Sequence, residues 1–465
     1  MSGYSGLVKM AADYVPRRAA GLVSEALGDT RVVIINGARQ VGKSTLAERV
    51  LHEVPRRQAR FLDDPQTRLA AENDPVGFLD FDGLMLIDEV QRVPELWLAI
   101  KNIVDRDPRP GRFILTGSAR LLALQNLPDA LPGRSETIEL WPLSQGEIDG
   151  KPDGFVDAAF GADSVLSADA SPLRRSDYLA RIARGGYPTA VQRDTPRRRG
   201  RFFSSYLNDI IVRDIKQVAD IERAADMRRL ITLLAARCGS MINMAKLASE
   251  LTITEPTVRR YIQILETIYL IQLIPAWSSG ATKRVTRAPK LMFVDSGLAS
   301  YLQTPRISEQ SGGLMENFVM GELARQLTWS ETAAALYHYH DRDGHEVDAI
   351  LEDNGGRVIG IEVKSAQSVR SEDLLGLRYL KQKLGSRMHA GYVLYCGADS
   401  LSFGDGLGCL PEWRQRFCQA HGLRSVEALS GQGIEFRVVH QCRDSGTRIA
   451  GSGAATRTGC GPRTR

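Results

Sequence analysis

A short apolar run, RVVIIN (31–36), leads straight into Gly37-Ala38-Arg39-Gln40-Val41-Gly42-Lys43-Ser44-Thr45, and a helix-patterned segment follows from about 43 to 53. This G-x-x-x-x-G-K-[ST] spacing constrains the fold more than any other feature of the chain. Glycines at both ends of the loop permit a tight turn whose backbone N–H groups wrap a phosphate, at the positive end of the helix that follows. In that geometry Lys43 reaches the β- and γ-phosphates of ATP and Ser44 ligates Mg²⁺.

Further apolar runs at 59–63, 84–88, 112–117 and 137–140 alternate with helix-like stretches. Buried strands alternating with helices imply a parallel sheet covered on both faces. The run Leu84-Met85-Leu86-Ile87 ends in Asp88-Glu89. A strand ending there sets Asp88 at the carboxyl edge of the sheet beside the loop, where it can hold the hydration shell of Mg²⁺. Glu89 can then polarise an attacking water, a base that hydrolysis needs and simple binding does not. Thr116 and Ser118, at the end of the next strand, stand where a polar sensor of the γ-phosphate is expected. Arg134, in LPGRS, is a candidate for transition-state charge, in its own subunit or a neighbouring one.

Together GARQVGKST, LMLIDEVQRVPEL, ILTGSARLL and LPGRSETIELWPLSQGEI resemble the AAA-type ATPase domain of bacterial and archaeal proteins that carry a C-terminal region known as DUF4143. The likeness continues through ARGGYPTAV, YLNDIIVRDI, KLMFVDSGL and GHEVDAILE, over roughly residues 15–400. It implies an additional-strand P-loop sheet, a helical and winged-helix middle, and a nuclease-like end.

Within the middle, 226–275 reads as three helices and a turn, with Thr254 as N-cap and Pro256 in the first helical turn. Val258, Tyr261, Ile262 and Leu265 form one apolar stripe. Arg259, Arg260 and Gln263 then face away from it, as a DNA-recognition helix requires. The segment carries six basic and four acidic residues, so a protein-binding role is the competing reading. Arg197, Arg198, Arg199 and Arg201 form a denser basic cluster, suited to phosphates or to a solvated helix face.

Toward the C-terminus, Asp348 lies in HEVDAILE, and Glu362 and Lys364 end RVIGIEVK on one face of a strand. The pattern D-x₁₃-E-x-K resembles the PD-(D/E)xK nuclease fold, with Glu316 contributed by an upstream helix. Two or three carboxylates and a lysine at one edge suit a divalent ion and phosphodiester hydrolysis, although a degenerate, non-cleaving version has the same pattern. His338, His340 and His345 fit strand alternation better than a zinc site.

The expected organisation is an ATPase domain over 1–148, a flexible linker over 149–176, a helical and winged-helix region over 177–300, a nuclease-like α/β domain over 301–430 and a disordered basic tail over 431–465. The net charge of +5 is concentrated in residues 441–465, which hold five arginines and one acid, so global charge says little about partners. No apolar run approaches the roughly 20 residues that span a bilayer. The six cysteines form no C-x-x-C pair and no secretory signal is evident, which suits a reducing cytoplasm. The function expected is ATP hydrolysis coupled to a nucleic-acid task in a homo-oligomer, with a nucleotide-gated protein-binding switch as the alternative.

Overall fold

Strands β1 (Val32–Asn36), β3 (Leu84–Asp88) and β4 (Phe113–Thr116) are buried at every position, because helices cover both faces of the sheet they form. The alternation of side chains divides each strand between two cores. Val33, Ile35, Leu84, Leu86 and Ile114 pack on one side; Val32, Ile34, Met85, Ile87, Phe113 and Leu115 pack on the other. With β2 (Arg57–Phe61) and β5 (Ser135–Glu139) at the edges, the order is β2-β3-β4-β1-β5 and every pairing is parallel. β4 thus stands between β1 and β3, which is the additional-strand arrangement. The edge strands are more polar, and both begin two residues before their apolar runs, since an edge needs only one covered face.

The computed structural model describes residues 14–117, 131–151, 153–167, 170–215, 224–278, 284, 287–303 and 311–411. Ser118 and the basic tail lie outside the described residues. Helix α1 (Ala19–Asp29) precedes β1, and α2 (Lys43–His52) follows the glycine loop. No helix among the described residues is long and apolar enough to cross a membrane.

Residues 155–161 correct the expectation of a flexible linker. They form a helix, Phe155–Gly161, that buries Phe155, Val156, Ala158, Ala159 and Phe160. The surrounding Gly, Asp and Ser hide this apolar content from a compositional reading. Phe155 meets Tyr392 edge-on with ring centroids 5.4 Å apart, so the segment is part of the core beneath the C-terminal sheet.

Three helices follow in the middle region, Ala224–Ala236, Met244–Leu251 and Glu255–Thr267, then a hairpin of β6 (Ile271–Ile274) and β7 (Lys290–Phe293). Met241, between the first two helices, bridges to Lys290 as a third element of the hairpin. Thr254 caps the third helix by accepting from the Thr257 N–H, and Val258, Tyr261, Ile262 and Leu265 are all buried. Arg259, Arg260 and Gln263 are exposed.

Helix Ser311–Leu327 leads into the last sheet, ordered β12-β13-β11-β10-β9-β8. β8 (Ala334–His340), β9 (Glu346–Asp353) and β10 (Val358–Lys364) run antiparallel; helix Leu375–Leu384 then crosses to β11 (Met388–Tyr395), parallel to β10. The hairpin of β12 (Leu401–Gly404) and β13 (Leu407–Pro411) extends the sheet beyond the expected elements. At the other edge, His338 of β8 exchanges hydrogen bonds with the chain leaving β6: the Trp277 N–H donates to its carbonyl at 2.6 Å, and its own N–H donates to Pro275 O at 3.1 Å.

Candidate nucleotide site and carboxylate cluster

The loop between β1 and α2 has positive φ at Gly37 (+143°), Gln40 (+62°) and Gly42 (+97°). At Gly37 the requirement is steric as well as conformational: a Cβ would lie 2.2 Å from the carbonyl oxygen of Leu140. That crowding arises because the Leu140 N–H donates to Asn36 O at 2.7 Å, drawing the chain after β5 against the start of the loop. Ala38 and Val41 are buried inside the turn. Lys43 opens α2, and its ammonium donates to Gly37 O at 2.9 Å and Ala38 O at 2.8 Å, across the mouth of the loop.

Three strand ends converge on this loop. Asp88, closing β3, accepts from Ser44 Oγ at 2.6 Å and from the hydroxyl of Thr116, closing β4. The pair fits Mg²⁺: a hydroxyl and a carboxylate oxygen, both hard donors, meet beside the phosphate loop. Glu89 follows in the left-handed region at φ +58°, unusual for a residue with a long side chain. Its N–H donates to Thr116 Oγ1 at 3.3 Å and its carboxylate accepts from the Gln91 amide. Burial pushes the Glu89 carboxyl above the ordinary range, with Lys43 pulling it down and Asp88 pushing it further up.

The Gln91 hydrogen bond favours the ionised form of Glu89. For a base that must be ionised to act, Gln91→Leu should therefore move the acidic limb of the kcat–pH profile to higher pH, with the plateau rate little changed. An unmoved limb would separate Glu89 from the base role.

Arg134 does not reach this site. Its carbonyl accepts from the Val32 N–H at 3.2 Å, at the beginning of β1, and its guanidinium is held by Asp105. The phosphate loop begins at the other end of β1, roughly 15 Å away along the strand. Parallel strands place the residue before β5 and the residue after β1 at opposite edges, which excludes Arg134 as a charge on the γ-phosphate of its own subunit. Ser118, the other polar sensor candidate beside Thr116, lies outside the described residues.

Several residues at the loop carry no sequence signal. Arg17 is buried and donates to Val41 O at 2.8 Å, to Trp141 O at 2.5 Å and to Glu147 Oε1 at 3.2 Å, clamping the loop to the segment after β5. From the middle region, Tyr269 OH accepts from Asn36 Nδ2 at 3.1 Å and Tyr206 OH donates to Arg39 O at 3.4 Å. These partners are distant in sequence; Arg17 and Tyr269 lie outside every motif, and Tyr206 opens YLNDIIVRDI without any spacing that ties it to the loop.

In the C-terminal sheet, β9 and β10 bring Asp348 and Glu362 together, as the spacing implies. Burial raises the Glu362 carboxyl, and neighbouring Asp348 raises it further. Lys364 Nζ lies 3.5 Å from Glu362 Oε2, and Asp348 Oδ2 accepts from Val363 N at 2.9 Å. Glu316 arrives from helix Ser311–Leu327, and its carboxyl too is raised, chiefly by burial. Lys290, which opens KLMFVDSGL on β7 and has no spacing that marks it as a site residue, is a second cation among them, beside Glu316 and Asp348. The histidines diverge: His338 meets the carbonyl of Ala288, whereas His345 pairs with Asp341 and stacks on Tyr379.

The sheet order and the site define a P-loop ATPase domain of the AAA type. Family models agree along the chain: an AAA domain matches residues 29–149, a domain of unknown function (DUF8612) matches 175–310, and another (DUF4143) matches 311–413. An uncharacterized protein of Mycobacterium tuberculosis is 30% identical over 362 residues, covering 75% of this chain and 73% of the relative. A Haemophilus influenzae protein, also uncharacterized, is 27% identical over 52% of this chain and 57% of its own length. The chain belongs to the family of AAA-domain proteins with a C-terminal DUF4143 region. Among solved structures, the Walker-type ATPase of Pyrococcus abyssi aligns at 14% identity and a TM-score of 0.38, covering 63% of this chain and 97% of that one. AMPPCP-bound DnaA from Aquifex aeolicus aligns at 16% and 0.28, covering 54% of this chain and 87% of that one. Superpositions this loose add nothing to the sheet order itself.

Proposed function

We propose that this protein hydrolyses Mg²⁺-bound ATP at the loop Gly37–Thr45 and couples hydrolysis to nucleic acid engaged by its middle region. The observation that carries the ATPase reading is the convergence of Ser44, Asp88, Thr116 and Glu89 at one edge of the sheet. The loop N–H groups and Lys43 hold the phosphates, and Lys43 exchanges its carbonyl partners for phosphate oxygens. Ser44 and Asp88 would hold Mg²⁺, which would supply charge neutralisation to the phosphates. Glu89 accepts the proton of the attacking water, and Thr116 fixes the backbone that aims it.

The coupling reading rests on Tyr269 and Tyr206. The first belongs to the three-helix-and-hairpin unit and the second to the preceding helix, Pro196–Asp209, and they touch Asn36 and Arg39, at the start of the phosphate loop. A shift of the loop on hydrolysis is thereby transmitted to the unit, which has the element order of a winged helix and presents Arg259, Arg260 and Gln263 to solvent. Arg259 is partly committed to Glu255 at 3.0 Å, so Arg260 is the more available of the two charges.

The test is the ATPase rate with and without duplex DNA. Stimulation is expected, and Arg259→Glu/Arg260→Glu should remove it while leaving the basal rate unchanged. A rate indifferent to DNA supports the alternative, a nucleotide-gated switch for a protein partner.

A further inference from the structure

Lys290 stands on β7, a strand of the middle-region hairpin, yet its side chain enters the carboxylate cluster of the C-terminal sheet. It is 1% exposed. Its ammonium pairs with Glu316, lies 3.4 Å from both Asp348 Oδ1 and Glu346 Oε1, and donates to the Asp348 carbonyl at 3.5 Å. The remaining carboxylate contacts are also taken: Asp348 Oδ2 accepts from Val363 N, and Glu362 faces Lys364. These are the residues that a divalent ion of a PD-(D/E)xK nuclease would need.

They do not fit such an ion as they stand. Mg²⁺ or Mn²⁺ needs several oxygens at about 2.0–2.2 Å in near-octahedral array. Here the oxygens of Glu316 and Asp348 converge on a point already filled by the ammonium, and a dication beside that buried charge is strongly repelled. The lysine also does what a metal does in such a cluster, holding like charges from separate elements together. Helix Ser311–Leu327, β9 and β7 all meet at its nitrogen.

We propose that Lys290 is a tethered cation that replaces the divalent ion of this carboxylate cluster. It fastens the middle-region hairpin to the C-terminal sheet and leaves the Glu316–Asp348 cluster without a divalent ion. This inference does not depend on the ATPase reading, because the cluster is separate from the phosphate loop.

The test is Mn²⁺ binding to the nucleotide-free full chain, followed by the loss of the free-ion EPR signal, with Mn²⁺ alone as the probe. Wild type and Asp348→Asn should bind the same amount, since no ion is held at the cluster. Lys290→Met should gain one Mn²⁺ per chain, and Lys290→Met/Asp348→Asn should lose it again. A wild-type Mn²⁺ ion that disappears in Asp348→Asn would overturn the proposal. So would a folded Lys290→Met that gains none, because the lysine would then not be what keeps the ion out. Should Lys290→Met fail to fold, the comparison of wild type with Asp348→Asn still decides.

Discussion

Glu89→Gln is expected to lower steady-state ATP hydrolysis by about 10²–10⁴-fold, the usual contribution of a positioned general base, with ATP affinity changed little. The substitution is nearly isosteric and keeps the left-handed backbone that aims the side chain. It removes the proton acceptor and leaves the phosphate cradle intact, because Lys43, Ser44 and the loop N–H groups do not depend on that carboxylate. Phosphate release measured beside equilibrium binding of a fluorescent ATP analogue separates the two. Unchanged turnover in Glu89→Gln would assign the base elsewhere.

The second large effect is structural. Gly37→Ala is expected to destabilise the protein by about 3 kcal/mol or more and to abolish nucleotide binding. The new methyl would stand 2.2 Å from the Leu140 carbonyl oxygen, on a residue just after β5 whose N–H is held by Asn36 O, and φ at Gly37 is +143°. Neither side can yield without parting β1 from β5 at the loop's first hinge. Gly21→Ala is the control. It lies within α1 with open space around it, so the same change should be neutral or stabilising by up to about 1 kcal/mol. Thermal denaturation of the two variants gives the comparison, and equal effects would show that the Leu140 contact is not limiting.

The phosphate loop and Asp88-Glu89 are legible in the sequence because each is a contiguous motif on a strand end, where backbone geometry alone sets the side chains. The three central strands are legible for a related reason, since burial on both faces leaves uninterrupted apolar runs. The stripe of Val258, Tyr261, Ile262 and Leu265 follows from helical period, and burial bears it out. What tertiary contact decides is not legible. Arg17, Tyr206 and Tyr269 reach the loop from 24, 167 and 233 residues away, as ordinary polar residues without spacing to mark them. Lys290 reads as the first residue of an apolar strand, and only the docking of the hairpin against β9 makes it the centre of a charge cluster. For Arg134 only the reading within its own subunit is excluded, because it precedes β5 at the edge of the sheet away from the loop. Proximity in sequence to a strand says nothing about which end of the sheet it occupies. Helix Phe155–Gly161 was obscured by its Gly, Asp and Ala neighbours, although Phe155, Val156 and Phe160 supply the apolar face that docks it.

The contacts of Tyr269 with Asn36 and of Tyr206 with Arg39 place the phosphate loop under the middle region rather than at a free surface. Under the proposed coupling, these two hydroxyl groups are the link between nucleotide state and helix Glu255–Thr267. The Lys290 cluster fastens the hairpin that follows Tyr269 to the C-terminal sheet.

The proposed function requires that this loop hydrolyse ATP and not merely hold it. Phosphate release by the wild-type chain at saturating ATP, with Mg²⁺ and then with the Mg²⁺ chelated, tests it directly. Multiple turnovers that require Mg²⁺ are expected. Tight ATP binding without phosphate release would contradict the account, and would make Asp88 and Glu89 parts of a nucleotide-binding switch.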